Sequence, residues 1–204
     1  MRIAVSASDE IFTELTANTI NMEWVKFKDW ASCIEDNSAD AYFNLDGEVS
    51  TITSSILNKP FFVNAVTDTL QELNASDNVC RIVAWPGFLQ RNTWEIAGSI
   101  SEKHMEVINK LNKNYIQIAD EPGTPSTKII SMIINEGYFA LQNNVSTKEE
   151  IDIAMKLGTN YPYGPFEWSK KIGLKNIYAL LQKLSITDKR YTPSSLLTAE
   201  ATAL

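Results

Sequence analysis

Residues 147–174 read TKEEIDIAMKLGTNYPYGPFEWSKKIGL, and the reading of this stretch decides the fold. Thr147 followed by Glu150 has the form of a capping box, in which a hydroxyl and a carboxylate satisfy the free amides of a helix start. Glu149, Glu150 and Asp152 put negative charge in the first turn, beside the positive end of the helix dipole. Ile151, Ala154 and Met155 recur at helical spacing, which predicts that they face a core. Gly158 is expected to stop the helix in a left-handed conformation. The run Tyr161-Pro162-Tyr163-Gly164-Pro165 cannot continue a helix; Pro165 suits the first turn of the next one, and Gly173 its end.

Taken in order, these pieces resemble the C-terminal domain of the L-3-hydroxyacyl-CoA dehydrogenases. The match is carried by Ile151, Asp152, Ala154, Met155, Gly158, Pro162, Gly164, Pro165, Phe166, Glu167 and Gly173. Where that family has an aspartate after its Phe-Glu-Leu, this chain has Lys170 or Lys171. The motif is mostly architectural.

Outward from the motif the two halves differ. From Pro125 onward the pattern is helical, and Lys128 to Leu141 is apolar almost all round, as expected of a helix buried on most sides. Before it, short β-branched or aromatic runs alternate with helical pieces. Strands are expected at Arg2 to Ser6, Met22 to Phe27, Ala41 to Leu45, Phe61 to Asn64, Arg81 to Trp85 and Tyr115 to Ala119. A short helix is expected around Ile52, Ile56 and Leu57, and another after Ser101. Alternation of this kind implies a mainly parallel sheet covered on both faces. The expected architecture is an α/β unit over residues 1–119 and a helical unit over 120–204. In the terms of the resemblance, these are a truncated Rossmann-like sheet and a helical dehydrogenase C-terminal domain, which belongs to the 6-phosphogluconate dehydrogenase C-terminal-like class.

Composition narrows the classes of function. The chain has 204 residues, 44% of them hydrophobic and 21% charged, which is ordinary for a globular protein. A net charge of −7 argues against a general nucleic-acid surface, since phosphates need a basic field. Cys33 and Cys80 have no metal-like spacing, and buried thiols are favoured over a disulfide. One histidine and scattered cysteines make no common zinc site. No run reaches transmembrane length, and Met1-Arg2-Ile3 leads into a strand, so a cytoplasmic protein is expected.

The resemblance implies oxidation of a 3-hydroxyacyl-CoA by NAD, with a glycine-rich turn for the pyrophosphate and a histidine–glutamate pair for the proton. The turn here reads Val5-Ser6-Ala7-Ser8-Asp9-Glu10, without glycine and with two acids. The region equivalent to the family's histidine, Ile82 to Phe88, has none. His104 lies on a helical pattern beside Ile108 and Leu111 and reads as a structural or surface imidazole.

Glu95 matches the family's glutamate and is the candidate catalytic residue. Asn64 and Thr67 stand where the family has Asn-Thr-Ser-Ser near the substrate, and Thr127 where it has a polarising asparagine. Ser126 or Thr127 serves equally well as the cap of the long helix. The aromatics Trp85, Phe88, Trp94, Tyr161, Tyr163, Phe166 and Trp168 suit either a ligand pocket or core packing.

The expectation is therefore a homodimeric relative of these dehydrogenases that binds a CoA-like small molecule or acts as a scaffold, with no cofactor. The alternative is an active NAD-dependent enzyme with a rearranged site.

Overall fold

The computed structural model describes residues 1–17, 19, 22–46 and 58–203. The short helix expected around Ile52, Ile56 and Leu57 lies outside them. Contacts divide the chain into two compact units, Met1–Glu121 and Pro122–Leu204.

The first unit is built on a sheet of seven strands among the described residues. These are β1 (Arg2–Ser6), β2 (Glu23–Phe27), β3 (Ala41–Asn44), β4 (Phe61–Asn64), β5 (Val79–Ile82), β6 (Thr93–Gly98) and β7 (Asn114–Ile118). Their order is β2-β1-β3-β4-β5-β6-β7, and every pair is parallel except β5 with β6. Strand order reverses between β1 and β3, the place where open α/β sheets open a crevice beyond their strand ends.

The period-2 pattern sorts side chains to two faces. Ile3, Val5, Phe43, Phe62 and Ile96 pack on one side with Ile11 and Leu15 of α1 (Asp9–Thr16) and with Val107 and Ile108 of α3 (Glu102–Lys110). Ala4, Tyr42, Phe61, Val63 and Val79 pack on the other with Cys33 of α2 (Trp30–Glu35). Trp30 stacks on Phe61 there, with centroids 4.6 Å apart. The centre of the sheet is covered on both faces, as its alternation with helices implies, whereas the edge strand β7 is exposed, Ile116 to 57%.

Two strand expectations need correction. β5 begins at Val79 and leaves the sheet after Ile82, so Val83 to Trp85 are not strand. β6 was not anticipated. Its alternation is plain in hindsight: Trp94 and Ile96 are buried between half-buried Thr93 and Glu95. Its last residue must be glycine. Gly98 has φ +118, and a Cβ there would lie 2.7 Å from the Val79 carbonyl.

The second unit is helical: α4 (Pro125–Gln142), α5 (Lys148–Thr159), α6 (Pro165–Ile172), α7 (Leu174–Thr187) and α8 (Ser195–Ala203). Thr147 and Glu150 form the expected capping box, Pro165 opens α6, and Gly173 ends it at φ +91. Three expectations are overturned. Asn160, not Gly158, takes the left-handed stop, because an asparagine tolerates αL and the helix runs through Gly158. Thr124 rather than Ser126 or Thr127 caps α4, since Pro125 must occupy the first helical position.

Burial is the third correction. α4 hides a polar stripe, Thr127, Ser131 and Asn135, while Ile129 is 59% exposed. α5 buries Asp152 alone, with Ile151 and Met155 half-buried and Ala154 exposed.

Candidate functional site

The candidate residues of the sheet unit gather at the C-terminal ends of the parallel strands and on β6. At the β1–α1 turn, Ser6 is fully buried and donates its hydroxyl to Asp46. The Ser8 hydroxyl accepts the Ile11 amide at 3.4 Å and so caps α1. Asp9 and Glu10 fill the first turn of α1. Asp9 pairs with Lys26, whose hydrogen bond holds the Asp9 carboxyl below the usual range.

This turn does not fit a dinucleotide diphosphate. Such a group needs close backbone approach and free helix amides. Here one amide is taken by a side chain, no residue lacks a Cβ, and two acids stand where phosphate charge would fall.

Asn64 straps strand ends together. Its Nδ2 donates to the Leu45 carbonyl at 3.4 Å and its Oδ1 accepts the Ala84 amide at 2.9 Å. Thr67 follows, half-buried. Asn44, at the end of β3 and fully buried, has no hydrogen-bond partner among the described residues for either side-chain amide atom. Past β5, Trp85 and Phe88 meet edge to face at 5.8 Å, and the Gly87 amide donates to Glu14 at 2.7 Å. Glu95 lies half-buried on β6.

His104 is not part of this group. It is 1% exposed and closes the cap of α3: its Nδ1 meets the Ser101 amide at 3.3 Å and hydroxyl at 2.8 Å. Its Nε2 meets the Asn78 carbonyl at 3.0 Å, which assigns the proton to that nitrogen. Burial lowers its pKa, against a smaller upward pull from the Asn78 carbonyl. It is a neutral structural imidazole.

In the helical unit, Thr127 is fully buried. Its hydroxyl accepts the Thr124 amide at 2.7 Å as the second half of the α4 capping box. Asp152 reaches from α5 to α6, where Oδ1 accepts the Phe166 amide at 2.8 Å and Oδ2 the Glu167 amide at 3.1 Å. Glu167 accepts the Gly164 amide at 3.0 Å and pairs with Lys156 at 2.5 Å. The motif is thus one interlocked helix junction.

A family model described as "3-hydroxyacyl-CoA dehydrogenase, C-terminal domain" matches residues 126–203. The helical unit is similar to the C-terminal domain of that family over nearly its whole length. A 3-hydroxyadipyl-CoA dehydrogenase of Escherichia coli K12 is 41% identical over 105 residues, 50% of this chain and 22% of that protein. A 3-hydroxybutyryl-CoA dehydrogenase of Clostridioides difficile is 36% identical over 94 residues, 45% of this chain and 34% of that one. The aligned segment therefore spans about a third or less of these dehydrogenases.

Two crystal structures extend the likeness. The (S)-3-hydroxybutyryl-CoA dehydrogenase of Ralstonia eutropha overlays 99% of this chain and 93% of its own at a TM-score of 0.76, with 19% identity, a likeness of fold. A 3-hydroxybutyryl-CoA dehydrogenase of E. coli K12 is 32% identical, with a TM-score of 0.60 over 70% of this chain and 31% of its own. The Rossmann-like sheet followed by a dehydrogenase C-terminal domain is therefore the observed architecture.

The aromatics pack within their own units. Trp94 belongs to the sheet core, Phe166 packs on Tyr138 at 5.0 Å, and Tyr161 lies 5.4 Å from Trp168. Sequence reasoning noted Asp152 only as first-turn charge and a motif match. Its real partner, a helix start fourteen residues on, was signalled by Gly164-Pro165. Among the described residues no group of three or more His, Cys, Asp or Glu is placed to hold a metal ion, and no helix is long and apolar enough to cross a membrane.

Proposed function

We propose that this chain is a 3-hydroxyacyl-CoA dehydrogenase-type oxidoreductase with a rearranged reaction centre around Glu95, handling acyl-CoA thioesters. The observation that carries the reading is the 41% identity to a 3-hydroxyadipyl-CoA dehydrogenase, on a chain that keeps both a Rossmann-like sheet and the helical unit. Glu95 supports it by its place on β6, next to the only antiparallel step among the described strands. The base cannot be His104, both of whose nitrogens are engaged. Asn64 and Thr67 would flank substrate in this reading. Thr127 would contribute only by giving up its capping bond.

A second reading is favoured by the capped, acidic β1–α1 turn. In it the chain binds a CoA-like molecule, or serves as a dimeric scaffold, without NAD and without hydride transfer. Either reading takes a second copy of the chain as partner through the helical unit.

Titration with NADH, followed by nucleotide fluorescence, and an assay of acetoacetyl-CoA reduction separate the two. Saturable binding with turnover supports the oxidoreductase, and Glu95→Gln then lowers the rate by orders of magnitude. No nucleotide binding, combined with a thermal shift on adding CoA or acyl-CoA, supports the binder. A flat response to all three leaves the scaffold.

A further inference from the structure

We propose that the free edge of β7 pairs antiparallel with β7 of a second copy of this chain, on a two-fold axis through Ile116. The contact lies on the sheet unit and is separate from the helical partner surface proposed above.

The sheet ends at β7, which pairs with β6 alone among the described strands. Its backbone phase fixes what it offers. The Asn114 amide donates to the Asn92 carbonyl at 2.8 Å, so the backbone groups of Asn114 face β6, and by alternation those of Ile116 and Ile118 do too. Tyr115 and Gln117 therefore aim their amides and carbonyls away from the sheet. Among the described residues these groups have no partner.

Edge strands usually carry something that stops another strand from adding, such as a charge, a proline, a bulge or a covering segment. β2, the opposite edge, has Glu23 and Lys26, which pair with Arg2 and Asp9. β7 reads Asn-Tyr-Ile-Gln-Ile and has neither charge nor proline. Ile116 is 57% exposed and Tyr115 38%. The two long polar side chains that would otherwise shield the edge are drawn back. Gln117 donates to the Gly98 carbonyl and Lys113 to the Arg91 carbonyl, both at 3.0 Å.

The occupant follows from the same geometry. Positions in an antiparallel pair alternate between hydrogen-bonded and non-hydrogen-bonded. With Ile116 opposite the partner's Ile116 at a non-hydrogen-bonded position, Tyr115 falls opposite the partner's Gln117, and Gln117 opposite the partner's Tyr115. Every outward amide and carbonyl of both copies is then satisfied. The same register sets the two exposed isoleucines at the closest cross-strand approach, about 4.5 Å between Cα atoms, where apolar side chains meet. A slip of one residue would put an outward residue opposite an inward one and lose the bonds. Any extended segment has backbone groups to add, but β7 itself also supplies the bare isoleucine in the right phase.

The test is amide exchange and cross-linking on the full chain without substrate or cofactor. Both read β7 locally, so their outcome is separate from any activity and from contacts between helical units. As protein concentration rises towards about 1 mM, the weak limit of a specific contact, the Tyr115 and Gln117 amides should become protected by about tenfold or more. Ile116→Lys, with unchanged circular dichroism, should abolish that protection. Ile116→Cys should form a disulfide between copies under mild oxidation, since the close pair lies within disulfide range and the native Cys33 and Cys80 are buried. Tyr115→Cys and Gln117→Cys, which do not face themselves across this axis, should not. Amides that stay unprotected at every concentration overturn the proposal and leave the edge to another protein's strand. Protection that is independent of concentration also overturns it, because the chain would then cover its own edge. Cross-linking of Tyr115→Cys as readily as Ile116→Cys overturns the axis.

Discussion

Asp152 opens the helix that carries Phe166: its Oδ1 accepts the Phe166 amide at 2.8 Å, across fourteen residues of sequence. Gly164 makes the approach possible, since a Cβ there would fall inside the van der Waals envelope of Asp152. Burial raises the Asp152 pKa, while the Phe166 and Glu167 amides pull it down. Asp152→Ala strips two amides of their acceptor at a largely buried helix start. It should cost about 2 kcal/mol in denaturant unfolding, and Asp152→Asn, which keeps one acceptor, less. Equal stability of Asp152→Ala and wild type would show that the junction is held by packing alone.

Arg81 ties the sheet unit together from inside. It is 2% exposed and donates to the carbonyls of Asp68 and, at 2.7 Å, Glu121. Its Nε lies 3.3 Å from Asp120, which itself accepts the Leu70 amide at 3.0 Å. Burial lowers the Arg81 pKa and Asp120 opposes the shift. Arg81→Met should destabilise by about 2–4 kcal/mol, because it leaves two carbonyls without their donor and removes the counter-ion of Asp120. Thermal denaturation reads this directly, and a loss under 1 kcal/mol would mean that water replaces the guanidinium.

The sequence made much of this legible, and its failures have physical causes. The sheet was readable because β-branched and aromatic runs recur between helical pieces. β6 is hard to read, because its alternation rests on Trp94 and Ile96 alone, with a charged Glu95 between them and Ala97 and Gly98 after them. The burial of α4 and α5 was harder to read, since periodicity identifies an apolar stripe without saying how much of it the rest of the chain covers. Of the site, the missing glycines and histidine could be read directly. The capping roles of Ser8 and Thr127 and the strap at Asn64 could not, because a short polar side chain suits a ligand or a backbone amide equally well.

His104 gives a pH dependence with a definite sign. Its folded pKa lies below the ordinary 6.5, chiefly through burial, so the unfolded chain binds the proton more readily. Stability is therefore full above about 6.5 and falls as pH drops through the interval down to the folded value, by at most ~1.4 kcal/mol per unit. Carboxylates with lowered pKa, such as Asp36 through Ser38 and Glu167 through Lys156, add their own loss at lower pH. Unfolding free energies measured at a series of pH values should show the first decline in wild type and a flat response there in His104→Gln. The same decline in both would assign it to other groups.

Asn135 decides how the last helix is held. Fully buried on α4, it donates to the Thr192 carbonyl and accepts the Ser194 amide, both at 2.9 Å. Ser194 in turn accepts the Leu197 amide at 3.1 Å and so starts α8. At the far end Glu200 accepts from Tyr138 and Lys148, each at 2.8 Å. Leu197 and Ala201 bury the apolar side of α8 between these anchors. The two anchors differ in cost, because the Asn135 bonds are dry while the Lys148–Glu200 pair is about a third exposed and screened. Asn135→Ala should therefore cost about 2–3 kcal/mol and speed proteolysis between Tyr191 and Ser195, whereas Lys148→Ala should cost under about 1 kcal/mol. If the two variants were cut at the same rate, α8 would owe its place to Leu197 and Ala201 and not to the buried amide.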